Sequence, residues 1–267
     1  MNLNGIKIIA LIINKYKMIP KTIHYCWFGR NPLPSTAKRC IESWKKYFPD
    51  YNIKEWNEDN FDVNIIPYTK EAYSVKKYAF VSDFARFWIL YNYGGLYFDT
   101  DVEVIRNMDD VILKGPFMGF EQPREEVKCK NIGLGVNPGL GIGVNPGLDI
   151  YRELLDYYTG LHFLDENGKP NPVTIVKHTT DVLVSKGLKE NNELQQVSGV
   201  WIYPWDVFCP QSYYTKQIHI SKDTVSIHLY SDSWNTPYNK FKKFIIRLIG
   251  SSLTQIIVKT KALFRLI

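Results

Sequence analysis

At 267 residues the chain suits one large domain, or one domain with insertions, and is long enough to bury a real core. Hydrophobic content of 45% beside 22% charged residues excludes a disordered, collagen-like or coiled-coil protein. The net charge of +6 is a C-terminal property: residues 240–267 hold seven lysines and arginines and no acid, leaving −1 on the rest, so the body lacks the basic stripe of a nucleic-acid binder and no nucleic-acid partner is expected.

Residues 1–17 read as an extension ahead of the domain, with Met18 a candidate start. Their longest apolar run, Ile8–Ile13, is far below the roughly 18 residues of a spanning helix, and no small-residue cleavage site follows. Lys21–Phe28 alternates β-formers and predicts a first strand, closed by Gly29 and Asn31-Pro32. Pro34–Phe48 has helical apolar spacing and stops at Pro49-Asp50, and Tyr51–Trp56 predicts a second strand. Lys70–Tyr93 reads as one long helix ended by Gly94-Gly95, and Leu96–Ile105 as a strand around Asp99, Thr100 and Asp101. This alternation predicts an α/β fold with a mostly parallel sheet.

A hexapeptide then repeats, Gly135-Val-Asn-Pro-Gly-Leu140 and Gly143-Val-Asn-Pro-Gly-Leu148. Asn-Pro-Gly suits a type II turn, so the segment is expected to be a surface loop or a loop shaping an acceptor site. Arg152–Tyr158 predicts a short helix and Asp165–Gly168 a turn; the remainder to about Tyr238 mixes short elements rich in Trp, Tyr and Pro. Cys26, Cys40, Cys129 and Cys209 stand singly and read as free thiols of a reducing cytosol.

Asp99-Thr100-Asp101 is the sharpest local feature. On a strand, residues i and i+2 share a face, so both carboxylates can converge on a hard cation such as Mn²⁺ or Mg²⁺; the alternative is a pair of solvated strand-end acids. Asp83 and Arg86, at i and i+3 of an otherwise apolar, aromatic helix, are either a surface ion pair or a buried pair meeting sugar hydroxyls beside a metal. Glu103 shares the expected strand face and reads equally as support for the site or as a salt-bridge partner. His24, His162, His178 and His219 read as structural. Trp201 and Trp205 read as core or as acceptor platforms.

The run from Tyr78 to Asp101, with Ile19–Gly29, Tyr203-Pro204, Phe208-Cys-Pro210 and His228…Ser233-Trp234, resembles the DXD-containing glycosyltransferases of family 32. These include bacterial capsular polysaccharide enzymes and are related to the yeast initiating mannosyltransferase. The resemblance spans residues 18 to about 238. It implies a GT-A fold, a nucleotide-sugar donor, a divalent cation (Mn²⁺ or Mg²⁺) and retention of anomeric configuration. Carried over by position, Trp27 stacks on the donor base, Ser82 and Tyr97 lie near ribose and phosphates, and Asp83 and Arg86 hold the donor sugar. Asp99, Asp101 and His228 bind the metal, Asp101 as the more direct of the two carboxylates, and His228 and Trp234 close over metal and diphosphate. The sequence departs from the pattern in its glycine-rich repeat and in Cys209, where Tyr is commoner.

Three segments are therefore expected: an extension (1–17), a GT-A catalytic domain (18–239) and a basic tail (240–267). The tail is either an amphipathic helix on an anionic membrane or a helix packed on the body. The expected function is a cytoplasmic, retaining transferase, membrane-associated on the inner face, moving a UDP-linked hexose onto a lipid-linked capsular or other surface glycan. A non-catalytic carbohydrate-binding module and a metal-dependent nucleotidyltransferase are the alternatives.

Overall fold

The computed structural model describes residues 18–122, 134–171, 173–213 and 215–231. Trp234, Cys129, the extension 1–17 and the tail 240–267 lie outside the described residues.

The chain opens β-α-β. β1 (Thr22–Cys26) is buried from Ile23 onward and pairs in parallel with β2 (Asn52–Trp56) on one side and β3 (Gly95–Tyr97) on the other. α1 (Ser35–Tyr47) connects β1 to β2; Ala37, Cys40, Ile41 and Trp44 recur at helical spacing and form its buried stripe. Trp44 is fully buried and its indole N–H donates to the Val102 carbonyl at 2.8 Å. Truncating such a side chain costs about 3–5 kcal/mol.

The helix expected over Lys70–Tyr93 is two helices. α2 (Pro67–Ser74) starts with Pro at its first position, where no N–H is needed. It ends at Val75, and Lys76 adopts a left-handed φ of +58° before α3 (Tyr78–Tyr93) begins. The apolar pattern runs through this break, so periodicity alone cannot reveal it. At the far end Gly94 has φ +64° and ψ −161°, a conformation glycine alone adopts freely. Gly95 follows at φ +99°, and a Cβ there would stand 2.6 Å from the Thr22 carbonyl oxygen.

The strand expected over Leu96–Ile105 is likewise interrupted. β3 ends at Tyr97, Asp99–Val102 forms a turn closed by Val102 N–H on the Asp99 carbonyl (3.0 Å), and β4 (Val102–Val104) leaves in a second sheet. α4 (Asp109–Lys114) and β5 (Phe117–Gly119) follow.

The repeated hexapeptide corrects the expectation of a surface loop. Residues 136–144 are buried, and Ile142–Val144 is β6, inserted between β3 and β5 and antiparallel to both. Of the two expected type II turns, Gly147 in the second copy has the positive φ (+76°), whereas Gly139 in the first does not. Beyond it lie α5 (Asp149–Thr159), α6 (Ile175–Ser185), β7 (Gln195–Val197), β8 (Val200–Tyr203), α7 (Trp205–Phe208) and β9 (Ser226–His228).

The main sheet runs β2-β1-β3-β6-β5-β8-β7; by the pairings, five strands share one direction and β6 and β7 oppose them. β4 and β9 form the antiparallel second sheet, with Val102 opposite His228. Side chains alternate across the main sheet: Ile23, Leu96 and Phe117 join the core under α1, α4 and α7, while Cys26, Tyr97 and Met118 join that under α3, α5 and α6. Neighbours of β1 on both sides, with intervening helices on opposite faces, make its junction with β3 a topological switch point, where ligands of open α/β sheets bind beyond the strand carboxyl ends. No helix among the described residues is long and apolar enough to cross a membrane.

Candidate active site

The switch point gathers the titratable residues of the sequence pattern. Trp27 follows β1 directly, Asp99 lies two residues past β3, α3 contributes Ser82, Asp83 and Arg86, and the β4–β9 sheet brings Asp101 and His228 together.

Arg86 organises the buried half. Its side chain is 4% exposed; Nη2 donates to Asp83 Oδ1 (3.0 Å) and pairs with Asp99 Oδ1 (3.1 Å), while Nη1 reaches Asp99 Oδ2 at 3.3 Å. Nε donates to the Ser82 carbonyl (3.2 Å), and the guanidinium lies 4.9 Å from the Tyr97 ring centroid, whose hydroxyl donates to Asp99 Oδ1 at 3.2 Å. The Asp83–Arg86 pair is thus not a surface ion pair. Burial pushes the Asp83 carboxyl up to about 7 against the pull of Arg86, and the Asp99 charge adds to the rise. Burial also raises Asp99, opposed by Arg86 and reinforced by Asp101. Cys26 lies behind this cluster, and burial pushes its thiol up to about 12, which makes it a poor nucleophile.

The second half is a clamp on Asp101. Its Oδ1 is 3.2 Å from His228 Nε2, and its Oδ2 accepts from the Ser231 amide (2.8 Å) and hydroxyl (2.9 Å). The Leu229 amide donates to the Asp101 carbonyl at 2.9 Å. Burial would raise Asp101, but His228 and Ser231 outweigh it and hold the carboxyl below its usual range. Burial would lower His228, and the neighbouring Asp101 carboxylate more than offsets it, holding the imidazole well above its usual range. Cys209 belongs to the wall behind: its sulfur is 3.0 Å from the Tyr230 hydroxyl, and the Tyr230 ring packs edge-on to His228 at 4.3 Å.

A ligand atom from each of Asp99, Asp101 and His228 lies within 4.8 Å of the others. Twice the about 2.1 Å bond of Mg²⁺ is about 4.2 Å, so a small inward shift of side chains would let the three residues hold one such ion. Two carboxylates with one imidazole form a mostly hard donor set that suits Mn²⁺ or Mg²⁺. Such an ion would compete with the His228–Asp101 contact, because a ligating imidazole nitrogen must be free of a proton.

The convergence arises from the Asp99–Val102 turn rather than from strand alternation. Glu103, expected on the same face, pairs with Arg39 at 3.2 Å instead. Trp27 is half-buried at the same edge, its indole N–H donating to the Asn31 carbonyl (2.6 Å), outside the carboxylate network. Ser82 is half-buried, with its hydroxyl on the Tyr78 carbonyl. Sequence reasoning missed Ser231 and Gly139. Ser231 acts through a tertiary contact that carries no local signature. Gly139 takes Asp99 N–H on its carbonyl (3.2 Å), and a Cβ there would fall 2.1 Å from Asp99 Oδ2, the kind of close approach a glycine can signal.

None of the other described histidines joins the carboxylate network, nor do Trp201 and Trp205. His24 accepts from Trp56 Nε1 (3.0 Å), contacts the Gly94 carbonyl (3.0 Å) and is pushed down to about 4 by burial. His178 stacks on Tyr157, His162 pairs with Glu71, and His219 is exposed. Trp205 packs on the core, and Trp201 donates to the Lys114 carbonyl.

Several known proteins are similar. Inositol phosphoceramide mannosyltransferase 1 of Schizosaccharomyces pombe is 28% identical over 111 residues, 38% of this chain and 33% of the relative. Uncharacterized glycosyltransferase L373 of Acanthamoeba polyphaga mimivirus is 35% identical over 106 residues, 38% of this chain and 42% of the relative. The chain thus spans about a third to two fifths of these curated relatives. Among solved structures, PaToxG Glycosyltransferase aligns with a TM-score of 0.46 at 21% identity, covering 69% of this chain and 78% of that one. The galactosyltransferase LgtC, in complex with donor and acceptor sugar analogs, aligns with a TM-score of 0.34 at 12% identity, covering 68% and 72%. Residues 34–118, which hold Ser82, Asp83, Arg86, Tyr97, Asp99 and Asp101, match the family described as the glycosyltransferase sugar-binding region containing the DXD motif.

Proposed function

We propose that the chain is a metal-dependent, retaining glycosyltransferase of the GT-A type that takes a hexose from a nucleotide-sugar donor. The observation that carries this is the convergence of Asp99, Asp101 and His228 beside a buried Asp83–Arg86 pair at the switch point of the sheet. A carbohydrate-binding module has no need of a guanidinium locked between two carboxylates at that edge.

A nucleoside diphosphate leaves well only when its developing charge is neutralised, and a divalent cation held by Asp99, Asp101 and His228 supplies that neutralisation when bound. The chain's own residues do the rest. Arg86 fixes Asp99 and Asp83 in place, and its positive charge offsets theirs within the site. Asp83 Oδ1 is taken by Arg86, and its carboxyl, buried and titrating near 7, suits a hydrogen-bond partner of sugar hydroxyls. Trp27 offers a half-exposed indole for the base and half-buried Ser82 is the candidate for ribose or phosphates, while buried Tyr97 acts through its hydroxyl bond to Asp99. Trp234 and His228 are the candidate closing pair.

The donor to test first is a UDP-hexose, with GDP-mannose beside it because the fission-yeast relatives are named mannosyltransferases. The acceptor we propose is a surface or capsular glycan on a lipid carrier, reached by a cytoplasmic enzyme whose 241–267 segment rests on the inner membrane face. Product analysis tests the reaction class: a transferase releases nucleoside diphosphate with retained anomeric configuration in the product, whereas pyrophosphate or nucleoside monophosphate would point to a nucleotidyltransferase. Liposome co-sedimentation of the full chain against residues 1–239 tests the membrane contact, and equal partitioning would refute it.

A further inference from the structure

We infer that Asn137 and Glu121 are positioning residues that fix Asp99 in the cation site through the main chain of Gly139; this rests on Asp99, Asp101 and His228 forming that site. Every link is a hydrogen bond. The Asn137 side chain donates from Nδ2 to Glu121 Oε2 (3.1 Å) and accepts the Gly139 amide on Oδ1 (2.8 Å). That second bond, from a side chain to the backbone two residues on, is an Asx turn over Pro138. The Gly139 carbonyl then accepts the Asp99 amide at 3.2 Å.

The chain of bonds starts from fixed points. Asn137 and Glu121 are each 9% exposed. The Asn137 amide donates to the Gly119 carbonyl (3.0 Å) and the Glu121 amide to the Gly135 carbonyl (2.8 Å), so both residues hang on paired backbone beyond β5. At the other end Gly139 forms a wall of the carboxylate itself. A methyl group in place of its hydrogen would stand 2.1 Å from Asp99 Oδ2 and 3.1 Å from Arg86 Nη1. Asp99 therefore has the Gly139 backbone on one side and Arg86 and Tyr97 as polar partners, and it moves if Gly139 moves. A ligand held to within about 0.5 Å needs such support.

The second copy of the hexapeptide is an internal control. There Gly147 donates its amide to the Tyr91 carbonyl and takes φ +76°, while the Asn145 Oδ1 is buried without a hydrogen-bond partner among the described residues. The same six residues thus close the Asn–Gly turn only in the copy beside Asp99.

The test is Mn²⁺ binding to the full chain without nucleotide, followed by the paramagnetic resonance of free Mn²⁺, with thermal unfolding recorded on the same samples. Wild type, Asn137→Ala, Asn137→Ser, Asn145→Ala and Asp99→Asn are compared, with Asn137→Ser also placed on Asp99→Asn. Serine can still accept the Gly139 amide but does not reach Glu121, so it serves where alanine fails to fold. Asn137→Ser is expected to weaken Mn²⁺ about tenfold, the scale of lost outer-shell partners, and Asn145→Ala to leave it unchanged. On Asp99→Asn the serine variant should add less than about twofold, because its effect runs through Asp99. A folded Asn137→Ser protein with wild-type Mn²⁺ affinity overturns the inference, as does an equal loss on the Asp99→Asn background. Failure of the wild type to bind Mn²⁺ would instead remove the cation site, and the inference with it.

Discussion

Replacing Arg86 with alanine removes the one group that compensates two carboxylates on the buried side of the site. The guanidinium is 4% exposed and makes ionic contacts of 3.0 Å to Asp83 and 3.1 and 3.3 Å to Asp99. The two acids do not suffer equally. Asp99 is 29% exposed and can recover water, whereas Asp83 is 11% exposed and keeps an unpaired buried charge. Breaking such a pair by deleting one partner typically costs about 3–5 kcal/mol, and Asp83 should account for most of it. The cost should depend on pH. Burial already raises both acids and Arg86 holds them down, so without Arg86 both rise further and accept protons more readily. The destabilisation is therefore expected to grow with pH and to be clearly larger at pH 8 than at pH 5. Adding Asp83→Asn removes the stranded charge and should recover more than half of the loss at pH 8. Urea unfolding of wild type, Arg86→Ala, Asp83→Asn and the double variant at both pH values measures each quantity. A cost below about 1 kcal/mol, a cost equal at the two pH values, or no recovery in the double variant would refute a buried, charge-compensating Arg86.

Gly139→Ala is expected to fold, since its first clash is with the end of the Asp99 side chain, while Mn²⁺ affinity drops; unchanged affinity in isothermal titration would contradict the close approach. Ser231→Ala removes one of two bonds to Asp101 Oδ2 and leaves the amide, so it should weaken Mn²⁺ by several-fold at most, against near-complete loss for Asp101→Ala. His24 titrates near 4 in the fold and at 6.5 when free, so its neutral form stabilises fully above 6.5 and progressively less as pH falls toward 4, by about 3 kcal/mol at the limit. Asp83, raised to about 7, acts in the opposite sense over the same window by weakening the fold as pH climbs, so the observable is the difference between wild type and His24→Gln. That difference should narrow with falling pH, and a constant gap from pH 7 to 4.5 would refute a neutral buried His24.

Much of this arrangement is legible in the sequence because it is local. The β-α-β opening follows from apolar spacing punctuated by Gly29, Asn31-Pro32 and Pro49, and Gly94-Gly95 marks the end of α3 because only glycine tolerates that backbone. The buried alternative for Asp83 and Arg86 is visible in the sequence because the helix around them is apolar and aromatic, and the structure decides for it. What escapes is what tertiary structure decides. β6 carries Gly143, follows Gly141 and has turn signals on both flanks, which disguise a central strand; its place is set by the β3 and β5 edges that it joins. The break at Lys76 sits in a pattern that a continuous helix would equally satisfy. The bonds of Ser231 to Asp101 span 130 residues of chain, and no spacing rule reaches that far; His228 is legible only through the family resemblance. Asp99 and Asp101 converge as foreseen, but through a turn, which is also why Glu103 leaves for Arg39.

The most direct test of a metal-dependent transferase is release of nucleoside diphosphate from a panel of UDP-hexoses and GDP-mannose, with Mn²⁺ or with EDTA, by wild type and by folded Asp101→Ala. Turnover of one donor is expected, abolished by EDTA and reduced at least about a hundredfold by the substitution. Wild-type turnover in a folded Asp101→Ala protein, or turnover indifferent to EDTA, would contradict it.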